Sequence, residues 1–411
     1  MPLMSARILI LLTLLAPISL FAQPGPPQPV TIAAAERRVW KSAINGTEYQ
    51  IDIALPAGYA MLNGKPNEKR YGVFYTLDGN VYFPLITESL RMLRTNQLVP
   101  DDLIVIGIGY PSRFYAFGSQ AYMASRGRDY TPKLNGSPER VRENQGQSPG
   151  EPGGASEFLR FLSEELVPWV DATYRTVAGD RTFAGHSFGG LFGAYVLTHK
   201  PEMFRRYVIG SPALWFDDEA CFRWEAAYAE THKDLPADVY LYIGGWEPEV
   251  MSVPPRRLIE QLVSRKYPEF HGEIVSVPEE THLSVNLWAF EHALRKLYGP
   301  RPVALAPETL RRYTGEWTGE GGGVWKIREE GGRLLIDAPG AANRAHELYA
   351  QSETSFATNL SNGAEFRLSF TLAATGGTVV ELKLMRQPYL ADGEFRTGRT
   401  LTLHRAQAQS K

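Results

Sequence analysis

The segment 185–190, Gly-His-Ser-Phe-Gly-Gly, places Ser187 in a G-x-S-x-G motif and restricts the fold more than any other part of the chain. Residues 181–184 before it are typical of the end of a strand, and the apolar run 191–197 after it predicts a helix. A serine at such a junction lies on a strained turn that exposes its Oγ, and glycines beside it avoid Cβ clashes. The motif therefore predicts a nucleophilic serine above a sheet. The alternative is a glycine-rich turn before a buried helix.

Short, unbroken apolar runs recur through the first 300 residues and are typical of strands that are buried on both faces. They cover residues 49–55, 72–77, 103–108, 207–210, 239–243 and 273–277. Helical patterns lie at 158–174, 256–266 and 285–298. Alternation of strands and helices predicts an α/β fold with a doubly wound, mostly parallel sheet. Between residues 130 and 151 the chain is polar and rich in Pro, Gly, Asn and Gln, which predicts a long loop near the mouth of the site.

The alternation of apolar strand segments with helical segments ends near residue 301. Short alternating segments follow at 323–327, 333–336, 366–370, 379–384 and 400–403, and Gly-Gly or Asn-Gly pairs separate several of them. This pattern predicts a small antiparallel β-domain, a barrel or a sandwich, over residues 301–411. The main α/β domain is expected to span residues 35–300.

The N-terminus is typical of an export signal. One basic residue, Arg7, precedes an apolar stretch that ends in small residues, so residues 1–22 are expected to be a signal peptide cleaved after Ala22. A membrane anchor is the alternative, but the apolar run is short for a span, and no stable membrane insertion is expected after cleavage. Residues 23–34 form a proline-rich linker. We expect a periplasmic or secreted protein.

The composition argues against several other classes of protein. The 411-residue chain has a formal net charge of −2, so it carries no electrostatic footprint for nucleic acid. Its single cysteine, Cys221, cannot form a disulfide within the chain, and no paired histidine marks it as a nucleophile. No Cys/His cluster has zinc spacing, and no metal or organic cofactor is expected.

A serine nucleophile needs a base, and in the α/β hydrolase order the base follows both the serine and the acid. Of the eight histidines, only His282 lies in the loop after the last predicted strand, where the fold places the base. The other histidines that follow Ser187 in the main domain lie before the acid-bearing strand, before the last strand or in the final helix: His199, His232, His271 and His292. His282 is therefore the predicted base, and a loop or capping histidine is the alternative.

The acid is expected just after the strand 239–243. The segment 244–249 reads Gly-Gly-Trp-Glu-Pro-Glu, and Glu247 is favoured because it comes first and a proline follows it. Glu249 is the competitor, and the absence of any carboxylate in this role is the third possibility. Either glutamate could instead be a solvated loop charge.

Two backbone N–H groups are needed to hold an oxyanion. Phe188, directly after the serine, is expected to supply one of them. The turn 77–80, Leu-Asp-Gly-Asn, is expected to supply the other through Asn80. Asp78 in that turn is interpreted as a turn-stabilising residue rather than a catalytic one.

Taken together, these segments resemble the esterase-D-like branch of the α/β hydrolases, and within it the siderophore trilactone esterase-like subgroup. The resemblance covers about two thirds of the chain and rests on residues 75–80, 128–132, 185–193 and 210–215. It implies that residues near 125–130 and 215–216 line the substrate cleft. Arg126 and Arg128 are thus candidate contacts for an anionic or catecholate substrate, with a structural salt bridge as the equal alternative for each, and Trp215 is a further candidate. Residues from 310 onward resemble a small β-barrel appended to some exported serine hydrolases.

The leading hypothesis is an exported serine carboxylic-ester hydrolase that acts through an acyl-enzyme, with Ser187, His282 and Glu247 as the triad. An acyltransferase on the same fold shares the first half-reaction. A non-catalytic binding protein that uses the C-terminal β-domain is the third hypothesis. The expected partner is a small-molecule or glycan-linked ester, and siderophore lactones, feruloyl or acetyl esters of polysaccharide and small acyl esters remain open.

Overall fold

The computed structural model describes most of the chain from residue 31 onward. The described ranges are 31–62, 65–95, 99, 103–111, 118–135, 151–299, 303–319, 322–339, 345–359, 365–373, 379–386, 389–391, 394–396 and 400–406. The predicted signal peptide, most of the predicted linker and most of the predicted 130–151 loop lie outside these residues. The boundaries of the predicted domains stay predictions.

An eight-stranded sheet forms the centre of the first 300 residues. Its strands are β1 (Ala35–Lys41), β2 (Glu48–Ala54), β3 (Tyr71–Leu77), β4 (Leu103–Gly109), β5 (Thr176–His186), β6 (Arg206–Gly210), β7 (Asp238–Gly244) and β8 (His271–Val277). Their order across the sheet is β1-β2-β4-β3-β5-β6-β7-β8. The pairings β1–β2 and β2–β4 are antiparallel, and all the others are parallel. The predicted doubly wound, mostly parallel sheet is therefore confirmed.

Helices cover the sheet, and every residue of β3, β4 and β7 is buried. The helices are α1 (Gly79–Thr95), α2 (Gln120–Tyr130), α3 (Ala155–Arg160), α4 (Val167–Thr173), α5 (Phe188–His199), α6 (Phe216–Thr231), α7 (Glu249–Ser264) and α8 (Val285–Tyr298). A π-helical segment, Phe161–Leu166, joins α3 to α4, and a short 3₁₀ turn covers Pro201–Met203. Among the described residues, no helix is both long and apolar enough for a transmembrane span.

The apolar patterns located the buried elements well. All six predicted strands are present, the predicted helix 285–298 is α8, and the helix predicted at 158–174 is the run from α3 to α4. Strand β1 was missed because most of its side chains are exposed and charged, so it carries no apolar run. Helix α7 begins earlier than predicted, because Pro254 and Pro255 lie inside it and conceal its first turns in the sequence.

A closed antiparallel barrel follows the main sheet and confirms the predicted C-terminal β-structure. Its strands are β9 (Gly315–Gly319), β10 (Val324–Glu330), β11 (Arg333–Asp337), β12 (His346–Ala350), β13 (Ser355–Asn359), β14 (Glu365–Leu372), β15 (Val379–Arg386) and β16 (Thr400–Arg405). A short helix, α9 (Pro307–Arg311), precedes it, and two small hairpins pair Met61–Leu62 with Lys65–Pro66 and Tyr389–Ala391 with Glu394–Arg396. Its own apolar core includes the fully buried Trp317 and Tyr313.

Neighbouring parallel strands end at one edge of the main sheet, and the predicted site residues lie in the loops that leave this edge. Several non-glycine residues there have positive φ, which is a strained conformation. Asp78 follows β3 with φ 52°, Ser187 follows β5 with φ 60°, Ser211 follows β6 with φ 35°, and Glu279 follows β8 with φ 62°. Such outliers are concentrated at functional sites, so this edge is the candidate site.

Candidate active site

Ser187 lies on a sharp turn between β5 and α5. Its φ and ψ of 60° and −117° are far from helical values, and it is the one residue of 182–190 that is not buried. Its N–H donates to the carbonyl of Gly210 at 2.9 Å, and its own carbonyl accepts from Ala213 at 3.1 Å. The turn therefore leaves Ser187 partly exposed, while neighbouring backbone groups hold its main chain.

The glycines of the motif differ in how strictly they are required. A Cβ on Gly185 would lie 2.3 Å from the carbonyl oxygen of Gly189, and one on Gly190 would lie 2.8 Å from that of Gly210. A Cβ on Gly189 would meet nothing closer than 3.6 Å, which is ordinary contact. The predicted need for flanking glycines therefore applies at 185 and 190 and not at 189.

His282 and Glu247 form a hydrogen-bonded pair near this turn. The Nδ1 of His282 lies 3.3 Å from Oε2 of Glu247. The carboxylate side chain is only 1% exposed, whereas the imidazole is 36% exposed. A buried carboxylate behind an accessible imidazole is the arrangement in which an acid orients a base. Glu249 lies instead in the first turn of α7 and is exposed.

Glu247 is held in its charged form. Burial opposes ionisation, but hydrogen bonds from His282, from the Ser211 hydroxyl and from the Gly244 N–H outweigh it and lower the pKa of the Glu247 carboxyl below its ordinary value. The Gly244 N–H donates to Oε1 at 2.9 Å, and the Ser211 hydroxyl donates to the same oxygen. Three donors therefore stabilise one carboxylate.

The loops that carry the acid and the base are joined through their backbones. The Gly245 N–H donates to Val277 at 2.7 Å, and the Trp246 N–H donates to Glu280 at 3.0 Å. A Cβ on Gly244 would lie 2.6 Å from the carbonyl oxygen of Glu280, so only glycine permits this approach. These contacts bring Glu247 within reach of His282.

Both predicted oxyanion donors lie in the first turn of a helix. Phe188 is the first residue of α5, and Asn80 is the second residue of α1. N–H groups in a first helical turn have no partner within the helix and carry partial positive charge. The Asn80 side chain both donates to and accepts from the backbone of Tyr110, at 2.7 and 2.8 Å, which fixes the start of α1.

A buried ion pair connects the two segments that carry these donors. Arg126 donates to both oxygens of Asp78, at 2.7 and 3.0 Å, and to the carbonyl of His186 at 3.2 Å. Arg126 is 5% exposed and Asp78 is fully buried. Asp78 also accepts from the Tyr122 hydroxyl at 2.7 Å. The turn before Asn80 and the turn before Phe188 are thus clamped by one guanidinium.

The family model described as "Putative esterase" matches residues 42–268, which is more than half of the 411-residue chain. The chain belongs to this esterase family. The prediction that it is an esterase of the serine hydrolase type is confirmed.

Several proteins that are similar in sequence or structure to this esterase are siderophore esterases. The ferri-bacillibactin esterase of Bacillus subtilis is 29% identical over 274 residues, which are 64% of this chain and 90% of the relative. A siderophore enterobactin esterase of Emericella nidulans is 32% identical over 174 residues, 42% of this chain and 55% of the relative. The crystal structure of the BES protein from Bacillus cereus is 28% identical, with a TM-score of 0.55 over 66% of this chain and 98% of that one. The resemblance to siderophore esterases is therefore confirmed.

The three residues predicted to contact the substrate differ in their burial and in their contacts. Arg126 is buried in its pair with Asp78, a contact that favours the structural alternative over substrate binding. Arg128 is 42% exposed and pairs with Asp129 at 2.7 Å. Trp215 is half-buried beside the nucleophile turn, because its ring centroid lies 6.1 Å from that of Phe188.

Large apolar side chains flank the predicted acid and the predicted base. Trp246, next to Glu247, is 69% exposed, and Leu283, next to His282, is 57% exposed. The Trp215 Nε1 lies 3.1 Å from Sδ of Met251 in the first turn of α7. Exposed apolar side chains next to these two residues are available for contact with a ligand.

Two features of the site had not been predicted: the Ser211 hydroxyl on Glu247 and the packing of His186. The His186 ring lies beneath the predicted base, with its centroid 4.6 Å from that of His282. Burial, together with the nearby charges of His282 and Arg126, lowers its pKa well below the ordinary value. Both residues directly adjoin strand ends that carry site loops, and this position was the available signal. Among the described residues, no group of three or more His, Cys, Asp or Glu side chains is arranged to hold a metal ion.

Proposed function

We propose that this esterase hydrolyses carboxylic esters through Ser187 as nucleophile, His282 as base and Glu247 as the acid that orients the base. The observation that carries the proposal is the contact between the buried Glu247 carboxylate and the accessible His282 imidazole, at the sheet edge where Ser187 is partly exposed. An accessible base held by a buried acid beside a strained serine is suited to acyl transfer.

The reaction divides into two half-reactions. In the first, Ser187 Oγ attacks the ester carbonyl carbon, and His282 takes the hydroxyl proton while the N–H groups of Phe188 and Asn80 stabilise the oxyanion. The C–O bond to the alcohol then breaks, and the alcohol leaves with the proton from His282. In the second, His282 takes a proton from water, whose oxygen attacks the acyl-enzyme, and the acid is released as Ser187 regains its proton.

We further propose a siderophore-type ester as the substrate, since two relatives are named as esterases of ferri-bacillibactin and of enterobactin. Trp215, Trp246 and Leu283 supply apolar surface on which the aromatic part of such an ester would rest. Comparing kcat/KM for a catecholate trilactone with that for acetyl and feruloyl esters tests the proposal. A preference for small acetyl esters would refute this substrate class.

The triad is tested by labelling with a fluorophosphonate and by a matched pair of variants. Ser187→Ala should abolish the label and lower kcat by about a thousandfold or more. Glu247→Gln should lower kcat strongly, whereas Glu249→Gln, two residues away and exposed, should leave it unchanged. Equal effects of the two glutamine variants would contradict the assignment of Glu247. Transfer of the acyl group to an added alcohol in preference to water would instead identify an acyltransferase.

Export is the last part of the proposal, and it rests on the sequence of residues 1–22. Expression of the full chain in a host with a periplasm should yield a protein that begins at Gln23 and is released with the periplasmic fraction. Mass measurement of the intact mature chain checks this. A full-length protein retained in the cytoplasm would contradict it.

A further inference from the structure

A fully buried hydroxyl contacts the proposed triad acid. Ser211 directly follows β6, has no exposed surface, and donates its hydroxyl hydrogen bond to Oε1 of Glu247. The other carboxylate oxygen, Oε2, faces Nδ1 of His282. The two proposed half-reactions assign no role to Ser211.

The segment around Ser211 also supports the nucleophile. Gly210 accepts from the Ser187 N–H at 2.9 Å, and the Ala213 N–H donates to the Ser187 carbonyl at 3.1 Å. The Ser211 N–H itself donates to Tyr242 on β7 at 2.7 Å. One four-residue segment therefore bonds to the main chain of the nucleophile and, through a single side chain, to the acid.

The terminal torsion of a glutamate is soft, so a carboxylate plane is set by its hydrogen bonds rather than by its rotamer. Without the Ser211 hydroxyl, Oε1 of Glu247 would retain only the Gly244 N–H donor at 2.9 Å. A single donor allows the plane to rotate, and rotation moves Oε2 away from His282. The Ser211 hydroxyl supplies the second point that fixes the plane.

The backbone conformation of Ser211 would suit a glycine better than a serine, so the presence of a hydroxyl at this position needs an explanation. Its φ of 35° lies in the region that favours glycine, so a serine here is strained where a glycine would be relaxed. A strained residue that keeps a polar side chain in a fully buried position points to a role for that side chain.

We propose that Ser211 is a positioning residue for the reaction, which holds the Glu247 carboxylate in the plane that orients His282. The inference rests on the proposed function, because it acts through Glu247 as the triad acid. It extends that function by making the loop after β6 a connection between nucleophile and acid.

The first test is the pair Ser211→Gly and Ser211→Ala in the full-length protein. Both remove the hydroxyl, and glycine also relaxes the backbone, so Ser211→Gly is expected to fold at least as stably as Ser211→Ala. Both should lower kcat by about ten- to a hundredfold with KM nearly unchanged, since a hydrogen bond to a charged group is lost from the catalytic apparatus. Ser264→Ala, at the exposed end of α7, is the matched control and should leave kcat unchanged.

Rescue and coupling separate positioning from a general structural role. Ser211→Cys keeps a weaker donor and should recover part of kcat. In the Glu247→Gln background, Ser211→Gly should lower kcat by less than about twofold more, because the group through which it acts has already been changed. If the two losses multiply, or if Ser211→Gly alone leaves kcat intact, the proposal is overturned.

The Ser211→Gly and Glu247→Gln variants, alone and combined, also distinguish failure of this inference from failure of the proposed function. If Glu247→Gln itself has no effect on kcat, the triad acid is wrongly assigned, and the role of Ser211 is refuted together with it. If Glu247→Gln lowers kcat while Ser211→Gly does not, the triad stands and only the positioning role is wrong.

Discussion

Replacing Arg126 by methionine should destabilise the esterase strongly. The change removes both hydrogen bonds to Asp78 and the one to the His186 carbonyl, and it leaves a fully buried carboxylate without its cation. Breaking a buried pair in this way costs about 3–5 kcal/mol of unfolding free energy. The Tyr122 hydroxyl remains as a partner of Asp78, which places the expected loss nearer the lower figure.

Urea unfolding followed by tryptophan fluorescence measures the effect, with two companion variants. Arg160→Met is the control, because Arg160 and its partner Glu164 are both more than half exposed, and such a surface pair contributes little to stability. The double variant Asp78→Asn/Arg126→Met removes the buried charge as well and should recover a large part of the stability. In the single variant, kcat should fall because the turns before Asn80 and Phe188 are no longer clamped.

The opposite result would refute the reasoning. If Arg126→Met unfolds at the wild-type urea midpoint while KM rises about tenfold or more, Arg126 binds the substrate and the clamp interpretation is wrong. The measurement therefore decides between the two alternatives that the sequence left open for this residue.

Three further predictions concern the dependence of stability on pH, the glycines after Ser187 and the core of the barrel. His186 is buried with its pKa well below the ordinary value, so the unfolded state binds the proton first and stability falls as pH drops below about 6.5. Between pH 7.5 and 5.0, wild type should lose more unfolding free energy than His186→Asn in urea titrations, and parallel pH profiles would contradict this. Gly190→Ala should cost about 1–3 kcal/mol and most of kcat, whereas Gly189→Ala, where a Cβ has room, should be tolerated; equal effects in melting and activity assays would refute the steric argument. Trp317→Ala should lower the unfolding free energy by about 3–5 kcal/mol because its ring is fully buried, and an unchanged denaturation curve would contradict its place in the core.

Much of the fold was predictable because the buried strands of a parallel sheet carry continuous apolar runs. Strands β3 and β4 are buried along their whole length, and each appears in the sequence as one such run. Elements without that signal were missed. The barrel strand β13 was not predicted, and β1 has mostly exposed, charged side chains.

In the candidate site too, some features could be predicted from the sequence and others could not. Ser187, His282 and Glu247 could be predicted because a motif and the order of strands along the chain leave few positions for each role. The partners of Arg126 were not predictable, because Asp78 lies 48 residues away and the pair forms only where the end of β3 meets α2.

Residues 185–190 and the alternation of strands with helices determine by themselves that the chain forms an α/β sheet with a serine on a sharp turn at the end of one strand. This holds because backbone geometry and hydrophobic periodicity are local properties. Only the tertiary structure decided that Glu247 rather than Glu249 contacts His282, and that Ser211 bonds to Glu247. Those contacts depend on the packing of loops from different strands at one edge of the sheet, and side-chain direction and burial there are set by the whole fold rather than by neighbouring sequence.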